Sequence, residues 1–221
     1  MASGRRVGIL GGTFDPIHLG HLAAARAAHD QLRLDQVLFI PSSQPPHRPD
    51  RPRASGYHRF AMVAMSVTGT ADWRVSDVEL GRAGPSYSFD TLTSLAASGL
   101  EPSELFFIIG TDAFADIATW SRYPAVLDAA HFAVVSRPGQ ALAPLASRLP
   151  DLAHRMIGAR TFSAAAAGGP TRIILLEADT PDVSSTAIRD RAARGDSLDG
   201  LVATGVATYI RQHALYRPTT G

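Results

Sequence analysis

Short apolar runs alternate along this chain with segments whose apolar residues recur at helical spacing. The apolar runs, several of them uninterrupted by polar residues, lie at residues 5–10, 36–41, 73–80, 105–110, 131–137 and 172–178. The segments with helical spacing lie between them, at residues 22–32, 57–67 and 89–98. Uninterrupted apolar runs are typical of strands that are covered on both faces. The alternation therefore predicts an α/β fold with a doubly wound, mostly parallel sheet.

Three regions depart from this alternation. Residues 41–56 contain five prolines, which block both a helix and a central strand, so a loop is predicted there. Residues 140–171 are predicted to form an insertion or flexible segment that starts with an insertion helix broken by prolines. Residues 183–216 predict two short helices, which would form a small C-terminal helical part. With 221 residues, we expect a single domain over residues 1–221.

The composition of the chain narrows its possible partners. Basic residues number 21 and acidic residues 20, and the formal net charge of +1 favours neither nucleic acid nor a membrane surface as a partner. There are no cysteines, which excludes a disulfide framework and a thiolate metal site. The first apolar run is too short for a signal peptide and no run approaches a membrane span, so the cytoplasm is the expected location. Formation of a homo-oligomer remains open.

The stretch GGTFDPIHLGH, residues 11–21, carries the strongest chemical signal. Its two glycines follow an apolar run and let the backbone turn tightly and approach a ligand closely. His18 and His21 are three residues apart, so they share one face at the start of the helix predicted for 22–32. Free N–H groups and the helix dipole favour anions at such a position. Ligands of open α/β sheets bind at this edge, so the stretch predicts a site for phosphate groups.

Other interpretations of this stretch are weaker. It lacks the Gly-Lys-Ser/Thr of a Walker A loop and the spacing of a G-x-G-x-x-G fingerprint. A zinc site would need a third ligand beside His18 and His21. Two ordinary surface histidines on a tight turn remain an alternative for the pair taken alone.

Residues 11–21 closely resemble the nucleotide-binding motif of the HIGH-type nucleotidyltransferases, in the form found in bacterial nicotinate mononucleotide adenylyltransferases. VSSTAIR resembles the second signature of that superfamily, with Val183 in place of isoleucine, and PSSQPPHR resembles its Pro-Pro-His-Lys loop, with Arg48 in place of lysine. Further segments similar to the family lie at 86–91, 109–114, Trp120 and 136–139. The resemblance covers about residues 5 to 216 and implies a Rossmann-like nucleotidyltransferase fold.

The resemblance also implies a function and a set of site residues. The implied reaction transfers the adenylyl group of ATP to nicotinate mononucleotide, giving deamido-NAD and pyrophosphate in NAD biosynthesis. Catalytic roles are implied for His18, His21 and Arg48. Contacts with ATP are implied for Gly11, Gly12, Thr13, Phe14, His18, His21, Gly110, Asp112, Arg137, Ser184, Ser185, Thr186 and Arg189. Contacts with the mononucleotide are implied for Asp15, His47, Arg48, Ser86, Tyr87, Ser88 and Trp120.

Several of these roles have a physical basis of their own. Ser184 is a suitable N-cap for the helix that follows it, and the guanidinium fork of Arg189 suits phosphate. The indole of Trp120 can stack on an electron-poor pyridinium ring, although core packing is the alternative. No protein metal site is implied, and Mg²⁺ is expected to bind mainly through the phosphates of ATP.

Alternative functions stay open at this point. An adenylyltransferase of the same superfamily could act on nicotinamide mononucleotide or on another phosphate acceptor such as phosphopantetheine. A nucleotide-binding module without activity is a more remote reading, because binding alone does not need both His18 and His21. A zinc hydrolase is the poorest reading, because the histidine pair lacks a third ligand.

Overall fold

A computed structural model describes residues 5–46, 52–136, 142, 144–162 and 169–218. Within these residues the strands are β1 (Val7–Gly12), β2 (Gln36–Pro41), β3 (Trp73–Val75), β4 (Leu105–Gly110), β5 (His131–Val135), β6 (Met156–Gly158) and β7 (Ile173–Leu176). They form one sheet in the order β3-β2-β1-β4-β5-β7-β6, and every neighbouring pair is parallel.

Helices cover both faces of the sheet. In chain order they are α1 (Leu19–Leu32), α2 (Gly56–Val67), α3 (Ser88–Ala97), α4 (Thr111–Ala115), α5 (Leu145–Arg148), α6 (Ser185–Arg194) and α7 (Thr204–Gln212). Alternate residues of β4 point to opposite faces, so Phe106 and Ile108 join the core under α1, α2, α6 and α7, whereas Phe107 and Ile109 join the core under α3 and α4. The predicted doubly wound α/β fold is confirmed.

The strand order places a crevice at the centre of the sheet. The chain moves outward from β1 through β2 to β3, and then returns so that β4 lies on the other side of β1. Loops at the carboxyl ends of β1 and β4 therefore leave in opposite directions, which opens a ligand crevice between them. The strands that flank this crevice end at Gly12 and Gly110.

The structure corrects the predicted bounds of several strands, most of all those of β1 and β3. β1 extends to Gly12, because Gly11 and Gly12 pair with Ile40 and Pro41 of β2 and so lie inside the strand. β3 ends at Val75, five residues before the end of the predicted run at 73–80. Turns follow it, with the Gly81 N–H donating to the Asp77 carbonyl at 3.1 Å.

The described residues of 140–171 contain a short helix that ends at a proline, as predicted, and a strand that was not predicted. They form the four-residue helix α5, a 3₁₀ turn at Pro150–Arg155 and the edge strand β6. Pro150 explains the end of the helix, because proline disfavours the helical conformation of the residue before it. β6 pairs with β7 in register Ile157 to Ile174, so this region contributes a strand to the main sheet.

The predicted C-terminal helices are confirmed as α6 and α7. Their buried residues, including Ile188, Val206 and Ile210, join the core formed with α1 and α2. Gly195 ends α6 with φ of 78°, a left-handed conformation that glycine adopts without steric cost. Among the described helices, none is long and apolar enough to cross a membrane.

Candidate active site

The crevice between β1 and β4 is the mouth of a cavity of about 510 Å³. Most of the residues predicted to bind a substrate line it: Gly11, Gly12, Thr13, Phe14, Asp15, His18, His21, Ser86, Tyr87, Ser88, Gly110, Asp112, Trp120, Ser184, Ser185 and Thr186. Arg189 does not line the cavity. The predicted residues His47, Arg48 and Arg137 lie outside the described residues.

The glycines of this region allow neighbouring side chains to approach the backbone closely, and they do not form a tight turn. Gly11 and Gly12 lie inside β1 and pair with β2, so the tight turn predicted at these two residues is wrong. A Cβ on Gly12 would lie 3.0 Å from the Phe14 ring, and a Cβ on Gly20 would lie 3.1 Å from the His18 ring. Side chains at these two positions would crowd the floor of the cavity.

The two histidines stand together at the start of α1. His18 is the N-cap residue of that helix, which begins three residues earlier than predicted. The imidazole rings of His18 and His21 are stacked, with centroids 3.7 Å apart and planes at 27°. The His18 backbone N–H donates to Nδ1 of His21 at 3.2 Å. Since Nδ1 of His21 accepts this bond, a neutral His21 carries its proton on Nε2, which is therefore its donor atom.

A second helix begins at the same cavity. Ser184 caps α6, as predicted, and its Oγ accepts from the Ala187 N–H at 3.2 Å. The Ser185 hydroxyl donates to the carbonyl of Pro16 at 2.9 Å, which fastens the start of α6 to the loop before α1. The positive ends of two helix dipoles thus face one space, which favours a polyanion such as a triphosphate.

Arg189 braces the loop before α1. Its Nη1 donates to the Asp15 carbonyl at 2.8 Å, and its Nη2 donates to the Thr186 hydroxyl at 3.0 Å. The guanidinium therefore meets protein groups in this structure. A direct contact between Arg189 and phosphate stays a prediction.

The carboxylate of Asp15, predicted to contact the mononucleotide, is engaged by the protein. Asp15 is only 4% exposed. Its two oxygens accept from the backbone N–H groups of Arg53 at 2.8 Å and Ala54 at 3.1 Å, and from the Tyr216 hydroxyl at 2.9 Å. The pKa of Tyr216 is raised by burial and by the neighbouring Asp15 charge, so its hydroxyl keeps its proton. Asp15 lies in the loop between β1 and α1. It therefore connects this loop both to the loop at 53–54 and to Tyr216 of the C-terminal helical part.

Arg59 was not predicted from the sequence. It also holds the loop between β1 and α1. Its Nη1 donates to the Thr13 carbonyl at 2.6 Å, and its Nε donates to the Ala54 carbonyl at 3.2 Å. Burial lowers the pKa of Arg59, and the nearby Asp15 carboxylate opposes that effect. Nothing in the local sequence of α2 signals these partners, because Thr13 lies 46 residues away.

On the β2 side of the cavity, Ser86 holds the loop that follows β2. Its Oγ accepts from the backbone N–H groups of Ser43 at 2.9 Å and Gln44 at 3.2 Å. The Ser86 N–H in turn donates to the Gln44 carbonyl at 2.8 Å. The predicted mononucleotide residue Ser86 thus fixes the backbone that leads to Pro45 and Pro46, both of which line the cavity.

Glu79 and Thr91 also line the cavity and were not predicted. The Thr91 hydroxyl donates to Oε1 of Glu79 at 2.6 Å and accepts from Nη2 of Arg82 at 3.0 Å. Burial raises the pKa of the Glu79 carboxyl, and hydrogen bonds from Thr91 and Ser86 oppose that rise. The E-L-x-R segment at 79–82 carries these charged residues, but only the fold brings them to Thr91 of α3.

Trp120 and Asp112 complete the lining after β4. The indole of Trp120 is half-buried and packs edge-on against Phe107, with centroids 5.8 Å apart and planes at 86°. One edge of the ring is thus held by the core while the residue also lines the cavity. Asp112 lies in the first turn of α4, which begins after Gly110. No cluster of three or more histidine, aspartate or glutamate side chains that could hold a metal ion occurs among the described residues.

Comparison with known proteins places the chain in a family. The sequence profile of the cytidylyltransferase-like family matches residues 9–191. A "Probable nicotinate-nucleotide adenylyltransferase" from Pseudomonas fluorescens is 40% identical over 216 residues, which cover 97% of this chain and 98% of the relative. One of the same name from Roseiflexus is 42% identical over 211 residues, covering 96% and 98%. This chain belongs to the nicotinate-nucleotide adenylyltransferase family. The family resemblance inferred from the motifs is confirmed, and the chain is a nucleotidyltransferase.

A solved structure shows the same fold. The Plasmodium falciparum nicotinic acid mononucleotide adenylyltransferase complexed with NaAD matches with a TM-score of 0.69. The match covers 96% of this chain and 97% of that one at 15% identity. The Rossmann-like nucleotidyltransferase fold expected of the family is therefore confirmed.

Proposed function

We propose that this chain transfers the adenylyl group of ATP to nicotinate mononucleotide, forming deamido-NAD and pyrophosphate in NAD biosynthesis. The observation that carries the proposal is a single cavity lined both by the His18–His21 pair with the start of α6 and by Trp120 with Ser88. One part suits a triphosphate, and the other suits an aromatic ring with a polar substituent. We also propose that residues 1–221 act as a single domain in the cytoplasm.

The proposed chemistry is an in-line displacement at the α-phosphorus of ATP. An oxygen of the mononucleotide 5′-phosphate forms the new P–O bond, and the bond to pyrophosphate breaks. The attacking phosphate is already an anion, so no general base is needed. Catalysis then consists of holding the two phosphates in line and stabilising the charge that develops in the transition state.

The donor nucleotide would occupy the part of the cavity between α1 and α6. We assign the Nε2–H of His21 and the ring of His18 to the α- and β-phosphates and to the transition state. The backbone N–H groups at the two helix starts, including that of Ser185, and the hydroxyls of Thr13 and Ser184 would hold the triphosphate. We assign the carboxylate of Asp112 to the ribose hydroxyls, which it can accept from.

The acceptor would occupy the part lined by Trp120 and the start of α3. The indole of Trp120 can stack on the pyridinium ring, and Ser88 with nearby N–H groups can meet the ring substituent. The loop that Ser86 anchors leads directly to His47 and Arg48, to which we assign the 5′-phosphate. Arg137, which follows Ser136 at the end of β5, is assigned to the adenine side.

We propose that ATP enters as its Mg²⁺ complex. Mg²⁺ gives up its water ligands reluctantly and prefers phosphate oxygens, so ATP can bring it to the cavity. Bound there, the ion would neutralise charge on the phosphates. The residues named above would bind, orient and align the reacting groups.

A pyrophosphate-release assay with ATP and three separate acceptors tests the proposal. Nicotinate mononucleotide should give a kcat/KM at least about tenfold higher than nicotinamide mononucleotide, because N–H donors favour a carboxylate over an amide. Phosphopantetheine should not turn over. Equal rates with the two mononucleotides would mean dual specificity, and turnover of phosphopantetheine alone would reject the proposed acceptor.

A further inference from the structure

The buried side chain of Glu79 lines the cavity but has no part in the proposed displacement. Glu79 is only 6% exposed and lies in the turns that follow β3. Acidic side chains are rarely this buried unless hydrogen-bond donors satisfy their oxygens. The donors that meet Glu79 therefore indicate which parts of the molecule it holds together.

One donor to Glu79 is Thr91, in the first turn of α3. The guanidinium of Arg82, which can only donate, donates to Oγ1 of Thr91 at 3.0 Å. The oxygen of Thr91 accepts there, so its one hydroxyl proton is directed to Oε1 of Glu79, which lies at 2.6 Å. Glu79 therefore fastens the start of α3 to the segment that follows β3.

The other donor is Ser86, two residues before the start of α3. Its Oγ accepts from the backbone N–H groups of residues 43 and 44, at 2.9 and 3.2 Å. A hydroxyl oxygen has two acceptor positions and one proton, so the Ser86 proton remains for the hydrogen bond with Glu79. The carboxylate is thereby linked to the loop after β2, whose Pro45 and Pro46 line the cavity.

The helix that Glu79 holds lies across the sheet from the two helices assigned to the triphosphate. α3 packs on one face of the sheet through Leu92. α1 and α6 pack on the opposite face through Ala25 and Ile188. A change at Glu79 should therefore affect the start of α3, where the acceptor is assigned, while the starts of α1 and α6 keep their places.

We propose that Glu79 is a positioning residue that sets the affinity for nicotinate mononucleotide by holding Ser86 and Thr91 in one fixed arrangement. The identity of this acceptor rests on the proposed function. Ser88, assigned to the ring substituent, lies between Ser86 and Thr91 in the sequence, so the two contacts flank it. The loop that Ser86 holds continues to Arg48, assigned to the 5′-phosphate. One carboxylate thus supports the groups assigned to both ends of the mononucleotide.

Steady-state kinetics of Glu79→Gln and Thr91→Val test this role. Glutamine keeps the size of the side chain but replaces one accepting oxygen by an NH₂ group, and valine removes the donor on α3. Each variant should raise the KM for nicotinate mononucleotide about five- to tenfold. The KM for ATP should stay within about twofold of the wild-type value. Thr91→Ser keeps the hydroxyl and should restore most of the affinity for the mononucleotide.

The matched controls are Thr93→Val, which removes an exposed hydroxyl from the same helix, and Glu177→Gln, which neutralises an exposed glutamate. Both should keep the wild-type KM values. Unchanged KM values in Glu79→Gln and Thr91→Val would overturn the positioning role. An equal rise in the KM values for both substrates would show a general loss of structure and would overturn it as well. Absence of turnover of nicotinate mononucleotide by the wild type would instead reject the proposed function, and with it the acceptor that Glu79 is assigned to position.

Discussion

His18 and His21 are stacked so closely that their imidazoles act on one small region of the cavity. Replacing either by alanine should lower kcat about 100- to 1000-fold, because each substitution removes a contact to the phosphates that is strongest in the transition state. The KM values should change less. Steady-state kinetics with both substrates varied would measure this.

His29 provides the control, because it lies in the last turn of α1 and pairs with Asp30, away from the cavity. His29→Ala should keep the wild-type kcat. If His18→Ala and His21→Ala both retained kcat near the wild-type value, the phosphate assignment would be wrong.

Trp120 is expected to act on only one of the two substrates. Trp120→Ala should raise the KM for either mononucleotide about tenfold, because it removes the ring on which the pyridine stacks. The KM for ATP should change much less. Trp73, the second tryptophan, packs against Phe39 in the core, and Trp73→Phe is the matched control with unchanged KM values. An equal rise in both KM values for Trp120→Ala would point to a general loss of structure.

The place of the histidine pair and of Trp120 at the cavity was predictable because short motifs carry these residues. The role of Asp15 was not, because its side chain meets groups far along the sequence. Tyr216, its hydroxyl partner, is 201 residues away, and Arg53 and Ala54 are 38 and 39 residues away. A local sequence pattern can identify a polar residue beside a phosphate-binding loop. It cannot show which distant residues will contact that residue in the folded protein.

At the level of elements, continuous apolar runs predicted the central strands well. β4 and β5 are buried along almost their whole length, so burial left a clear signal in the sequence. β6 is a three-residue edge strand with two half-buried residues and one exposed glycine, and nothing in Met156–Gly158 sets it apart from a loop. The extension of β1 to Gly12 was missed because glycines without side chains carry no apolar pattern, although their backbones pair with β2.

One residue of β5 should make folding sensitive to acid. His131 is fully buried, its Nδ1 accepts from the Arg172 N–H at 2.9 Å, and burial lowers its pKa to about 4. The unfolded chain binds this proton at the ordinary pKa of 6.5. The contribution of His131 to stability is therefore complete above pH 6.5 and is lost as the pH falls towards 4. Full loss would cost about 3 kcal/mol.

Urea unfolding of His131→Asn between pH 8 and 4 would test this. Asparagine can still accept from Arg172, but it does not titrate, so the variant should lose less stability than the wild type as the pH falls. His154 is exposed, and His154→Asn should keep the wild-type pH dependence. Parallel stability curves for the wild type and His131→Asn would exclude His131 as the acid-sensitive group.

At the level of the whole molecule, Tyr216 of the C-terminal helical part supports the loop between β1 and α1 through its hydrogen bond to Asp15. Tyr216→Phe removes the hydroxyl donor to buried Asp15, so the free energy of unfolding should fall by about 1.5–3 kcal/mol. Looser placement of Thr13 and Phe14 should also lower kcat/KM. Tyr57→Phe removes a hydroxyl from a side chain that is 86% exposed and should change neither quantity. An unaltered unfolding free energy in Tyr216→Phe would show that the loop does not depend on this bond.

The hydrogen bond between Tyr216 and Asp15 also affects how the chain folds during its synthesis. A chain growing on the ribosome can form β1 and α1 early, yet Tyr216, the partner of Asp15, is added 201 residues after it. Domains fold as units once their chain has emerged. The loop between β1 and α1 should therefore stay unfinished until residue 216 has been made, and a chain cut short before that residue would carry every motif of the family without a properly supported site.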